Sequence, residues 1–134
     1  MEAAEEFQSY IYSVLRTSEI WQSSIKNIYR YAPLNSDYPF ITINCTSVTK
    51  SAVNYLDRYE INFEINIFAK NSLAELSNQM RQFITQELAA NSIRLNLADV
   101  IALYNYSYEH QKASDNSTNK LIYSFKAILQ SKII

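Results

Sequence analysis

The stretch Tyr59–Leu88, YEINFEINIFAKNSLAELSNQMRQFITQEL, decides how the chain is read. Tyr59, Ile61, Phe63, Ile65 and Ile67 alternate with Glu60, Asn62, Glu64 and Asn66, a period of two that suits a half-buried strand and cannot make a helical stripe. Leu73, Leu76, Met80, Phe83, Ile84 and Leu88 then follow at helical spacing, which predicts a helix over Leu73–Ala90. Ser72 and Glu75 before it have the S-x-x-E spacing of a capping box, in which each side chain satisfies an otherwise orphaned backbone donor.

Working outward, Phe7, Tyr10, Ile11, Val14 and Leu15 predict a first helix over Ala3–Arg16, with Glu2, Glu5 and Glu6 at the positive end of its dipole. Ser18–Tyr31 is ambiguous: Ile20, Trp21, Ile25 and Ile28 fit a short helix, whereas Ile28–Tyr31 fits an extended segment. Pro33, Asn35 and Asp37 mark a connector, and Pro39 biases Tyr38 toward extended backbone. Phe40–Val48 reads as a strand, joined to the alternating strand by a long loop, Thr49–Leu56. Val100–Glu109 reads as a strand with Tyr104, Tyr106 and Tyr108 on one face. Lys112–Lys120 is a polar loop expected to be mobile until a partner docks on it. Leu121–Leu129 reads as the last strand. The expected fold is α+β in the order α-β-β-α-β-β, a four-stranded antiparallel sheet with helices packed on one side. Its 134 residues form a single domain, 1–134, large enough to bury a core.

Composition excludes several functions. The chain has no glycine, so it cannot carry a Walker loop, a G-x-G-x-x-G turn or a G-x-S-x-G elbow. Turns that need positive φ must fall to Asn or Asp, with Asn35, Asn54, Asn71, Asn91 and Asn116 available. The net charge of −1, without clustered Lys or Arg, argues against a grip on nucleic-acid phosphates. No apolar run approaches the ~18 residues that span a bilayer. The acidic start Met1–Glu6 is unlike a signal peptide, and Cys45 has no second cysteine to pair with, so a cytoplasmic protein is expected. Charged residues make up only 19%, which codon bias would explain, as would burial of much of the surface against other subunits.

No constellation of catalytic or metal-binding residues emerges. His110, the one histidine, lies beside Glu109 near a strand end with no nucleophile placed by any motif. One His and one Cys do not make a metal site, and Cys45 reads as a reduced packing residue. Glu60 and Glu64 share a strand face at about 13 Å, too far apart for a glycosidase pair. Three N-x-S/T sequons carry no weight without a secretion signal. The tyrosine row could stack single-stranded bases; with no basic groove beside it, core or subunit interface is preferred.

One pattern is more specific. Ile28-Tyr29, then Ala32-Pro33, then Tyr38-Pro39-Phe40-Ile41, then a long alternating strand into a helix and a C-terminal β-hairpin, resembles the tail-completion proteins of long-tailed bacteriophages. Relatives in gene transfer agents and prophages fit equally. The likeness runs from Phe7 to Leu129, although the glycines usual in that family are missing. It implies a tail terminator: a homo-oligomeric ring, a hexamer by analogy, at the head-proximal end of the tail tube. Such a ring stops tube growth and joins tail to head, touching the tail tube protein and the head-tail connector while DNA passes through without specific binding. It implies no catalysis and no cofactor, with the protein cytoplasmic during assembly and part of the virion afterwards. Candidate interface residues are Tyr104, Tyr106, Tyr108, Glu60, Asn62, Glu64, Lys112, Asp115, Asn116 and Lys120. The alternatives are another neck or tube ring protein of the same particle, or a small cytoplasmic dimeric domain with the tyrosines lining a ligand pocket.

Overall fold

The computed structural model describes residues 2–53, 55–114 and 117–132. Helix α1 (Ala3–Thr17) buries Phe7, Ile11 and Leu15 at four-residue spacing, with Ala3 and Ala4 letting its first turn approach the sheet closely. Its C-terminal partner is Ser18, whose N–H donates to the Val14 carbonyl. Glu19–Trp21 then forms a single 3-10 turn that buries Trp21 against Phe83, ring centroids 5.7 Å apart. Beyond it lies strand β1 (Asn27–Tyr29). Both readings of Ser18–Tyr31 thus hold in part: one helical turn, then an extended segment.

Strands β2 (Phe40–Val53), β3 (Leu56–Ala69), β4 (Ala98–Lys112) and β5 (Asn119–Ser131) complete a five-stranded sheet in the order β1-β2-β3-β5-β4. The expected four-stranded antiparallel sheet is corrected here. The sheet is mixed, because β1 pairs parallel with β2 through Asn27–Phe40, Ile28–Ile41 and Tyr29–Thr42, and the element order is α-β-β-β-α-β-β. A three-residue strand is too short to show alternation, and its pairing is set by a distant partner rather than by local pattern.

The predicted long loop between β2 and β3 is also corrected. Their ladder continues to the Val53–Leu56 pair. Asn44 and Thr46–Ala52 are exposed, so that half of β2 has no hydrophobic alternation to reveal it. Lys50 secures the hairpin, 3.5 Å from Asp57 and 5.8 Å over the Tyr59 ring. A bulge between Cys45 and Ser47 explains the broken alternation earlier in the strand. It skips Thr46, so that Val48 pairs with Ile61 on the same face as Ile41, Ile43 and Cys45.

Helix α2 spans Leu73–Glu87, three residues shorter than expected, and a 3-10 turn at Ala90–Ser92 follows. The predicted capping box is not formed: Ser72 sits at φ 61, and its side chain makes no cap hydrogen bond. A capping serine needs extended backbone to aim its hydroxyl at the first turn, and the left-handed conformation turns it away. Positive φ also occurs at Asn35 (φ 65) and Tyr55 (φ 68). Asn35 was foreseen, whereas Tyr55 was not, and Ser72 adopts the conformation in place of the neighbouring Asn71. Asn54 and Asn116 lie outside the described residues.

Both helices cover one face of the sheet. Phe7 of α1 meets Phe63 edge-on at 5.6 Å, Phe63 stacks on Phe125 at 5.0 Å, and the Tyr123 hydroxyl donates to Ser77 of α2 at 3.4 Å. The fully buried Ile61, Ile65, Ile67, Leu121, Ala127 and Leu129 share that face. The Glu6 carboxylate ties α1 to the entry of β4, accepting from the Asn96 N–H at 2.7 Å and the Leu97 N–H at 2.9 Å.

Candidate assembly interface

The second face of the sheet carries no helix. Glu60, Asn62, Glu64 and Asn66 line it on β3, as their alternation requires. Glu60 lies 2.8 Å from Lys126 of β5, and this hydrogen-bonded pairing, with the nearby Tyr104 and Tyr106 phenols, raises the Lys126 pKa. Asn62 donates to Ser47 Oγ at 2.9 Å, and Thr46 Oγ1 donates to the Asn62 carbonyl at 3.0 Å. Asn66 is buried and donates to Thr42 Oγ1 at 3.4 Å, while its own Oδ1 has no partner among the described residues. Glu64 is half-buried in the same row. At one end Phe40 stacks on Phe68 at 4.7 Å, and Lys120 lies 5.5 Å over the Phe68 ring.

The tyrosines of β4 do not share a face as the sequence suggested. Two bulges, between Val100 and Ala102 and between Asn105 and Ser107, break the strand's alternation. Tyr104 pairs with Lys126 on the helix-free face, whereas Tyr108 pairs with Tyr123 on the helix face, ring centroids 4.9 Å apart. Tyr106 is the extra residue of the second bulge. Tyr104, Tyr106 and Tyr108 are 46%, 56% and 51% exposed, so β4 presents aromatic surface on both faces of a sheet edge.

The remaining predicted residues divide. Lys112 and Lys120 belong to β4 and β5, so the predicted loop contracts to the residues between Lys112 and Asn119, where the Ala113 N–H donates to the Thr118 carbonyl at 2.9 Å. Asp115 and Asn116 lie outside the described residues. His110 is exposed, its Nε2 2.8 Å from Asn119 Oδ1.

The opposite side of the sheet carries two further features. Strand β1 pairs only with Phe40–Thr42 of β2, so from Ile43 onward that edge of β2 has no ladder partner among the described residues, with Arg30 and Tyr31 beside it at Ile43–Cys45. Beside that edge lies a cleft of about 210 Å³ with Phe7, Ile11 and Phe63 on its floor and Ile43 and Cys45 along one wall. Arg30 stands at its rim, held over α1 by a 3.1 Å hydrogen bond to Ser9 Oγ and lying 5.2 Å over the Tyr12 ring. Burial raises the Cys45 thiol pKa, and its Sγ lies 3.8 Å from the Ser47 carbonyl oxygen. The uncharged run Ile43–Thr49 was the available sequence signal for an open edge.

No family model matches the sequence, and no match to a curated protein was found. The fold is shared with a chain of the virion of a native gene transfer agent particle, with TM-score 0.76, 12% identity, and 95% of this chain and 96% of that chain covered.

Proposed function

We propose that this chain is a structural virion protein whose copies form a ring at the head-proximal end of a phage-like tail tube, ending tube growth and joining tail to head. The observation that carries this reading is the fold it shares, across nearly the full length of both chains, with a chain of the gene transfer agent virion. The sequence pattern from Ile28-Tyr29 through Tyr38-Pro39-Phe40-Ile41 supports it independently. The role requires no chemistry. A tube grows by stacking contacts that do not close, and a ring ends it by matching the tube on one side and offering a different surface on the other. The partners are other copies of this chain, the tail tube protein and the head-tail connector. DNA crosses the ring without specific binding, which suits a chain of net charge −1.

Deleting the gene and imaging the particles tests the reading. Full heads and separate tails of uncontrolled length are expected. Tails of normal length joined to heads would overturn it, and long tubes assembled from the purified protein alone would make it a tube protein instead.

A further inference from the structure

We infer that each copy adds the free edge of its β4 antiparallel to the open half of β2 in the next copy, with Tyr108 seated in the neighbour's cleft between β2 and α1. This deepens the ring reading and rests on it.

Strand direction comes first. Strands β2 and β3, β3 and β5, and β5 and β4 are all antiparallel, so β4 runs opposite to β2. A rotation that keeps strand direction from copy to copy therefore brings β4 against the next β2 as an antiparallel pair, the more stable ladder.

Height along the strands comes second. Pairing links Ser51 through Arg58 and Gln130 to Asp99, Cys45 through Phe63 and Phe125 to Asn105, and Ile43 through Ile65 and Tyr123 to Tyr108. The open half of β2 thus lies level with Asp99–Tyr108 of β4. The part of β2 that β1 covers lies level with Glu109, His110 and Gln111.

Chemistry comes third. Exposed sheet edges in monomers are protected by charge, proline or short length. Strand β4 is 15 residues long, and Val100–Tyr108 contains neither charge nor proline. Facing it, Ile43–Thr49 of β2 is equally uncharged. Ile101, Tyr104, Tyr106 and Tyr108, with Val48 opposite, leave large apolar surface exposed along these two edges. The bulges of β4 add the local curvature that a closed assembly of sheets requires. Tyr108 lies on the helix face at the height of Ile43, which places its exposed half beside the cleft of the next copy, where Phe7, Ile11 and Phe63 can take the ring and Gln8, Arg30 and Asn44 can meet the phenol.

Native Cys45 makes the test direct, since paired residues across an antiparallel ladder lie within disulfide reach. Asn105→Cys and Tyr108→Cys are made singly, each also in a Cys45→Ser background, with Tyr104→Cys on the opposite face as control. Folding is checked by thermal melts, and each protein is oxidised mildly with and without tail tubes. Intersubunit disulfides from Asn105→Cys, more weakly from Tyr108→Cys, absent with Tyr104→Cys and abolished by Cys45→Ser, are expected. In parallel, Tyr108→Ala should weaken self-association at least tenfold, whereas Tyr55→Ala at the β2–β3 turn should not. Oligomers that form without these crosslinks, crosslinks equally strong from Tyr104→Cys, or a strict monomer even with tubes present would each overturn the pairing. Crosslinked rings from a gene whose deletion leaves normal joined particles would instead remove the terminator role and leave the pairing standing.

Discussion

At the scale of single residues, Phe63 carries the most. It contacts Phe7 edge-on and stacks on Phe125, so it links α1 to both central strands, and it is 2% exposed. Phe63→Ala should lower unfolding free energy by about 3–5 kcal/mol, and Phe63→Asp by more, because an unpaired charge would be buried too. Glu64→Gln, next along on the helix-free face, should change it by less than about 0.5 kcal/mol. Urea denaturation of the three variants checks this, and a Phe63→Asp protein as stable as wild type would reverse the assigned strand face. Glu6 illustrates a residue whose role the sequence conceals. Its place in the first turn of α1 suggested a dipole effect, yet its carboxylate accepts from two backbone N–H groups about ninety positions away. Glu6→Ala should cost about 1–3 kcal/mol, with hydrogen exchange at Asn96 and Leu97 accelerated more than within β3. Unchanged protection there would remove the bridge.

At the scale of elements, legibility follows burial. Strand β3, helix α1 and the centre of α2 each bury one regular face, so Ile61, Ile65, Phe7, Ile11 and Met80 announce their elements by period alone. The end of β2 from Thr49 to Ala52 is exposed and read as loop. The three residues of β1 are specified by Phe40–Thr42, not by their own pattern. In β4 two bulges place on opposite faces Tyr104 and Tyr108, which the alternation had put on one. The start of α2 shows a motif overruled by backbone geometry. Ser72 fits the capping-box spacing, but its left-handed conformation prevents the cap and costs a non-glycine residue about 1–2 kcal/mol. Since among the described residues its hydroxyl reaches only Asn71 Oδ1, at 3.4 Å, Ser72→Gly should stabilise the protein by up to about 1 kcal/mol. A lower melting temperature for Ser72→Gly would mean that the serine side chain matters in a way this geometry does not explain.

At the scale of the whole molecule, the separation of charge from the sheet edges makes a prediction that distinguishes edge pairing from an electrostatic assembly. The charged groups flanking the open edges sit at their ends: Asp99 and Glu109 on β4, and Lys50 on β2, which is already engaged with Asp57. Between them run Val100–Tyr108 and Ile43–Thr49, whose contacts would be backbone hydrogen bonds and buried apolar surface. Ion pairs between exposed groups weaken as the Debye length falls from about 10 Å at 0.1 M salt to about 3 Å at 1 M. Apolar burial does not weaken in this way, and sulfate strengthens it. Self-association measured by sedimentation velocity should therefore change less than about threefold between 0.1 and 1 M NaCl and tighten in ammonium sulfate. The Glu60–Lys126 bridge sits on the sheet face rather than at the joining edges, so Lys126→Met should leave the association constant within the same range. Dissociation of the oligomer by 1 M NaCl, or its loss in Lys126→Met, would shift the contact from the uncharged edges to the charged face of β3 and β5.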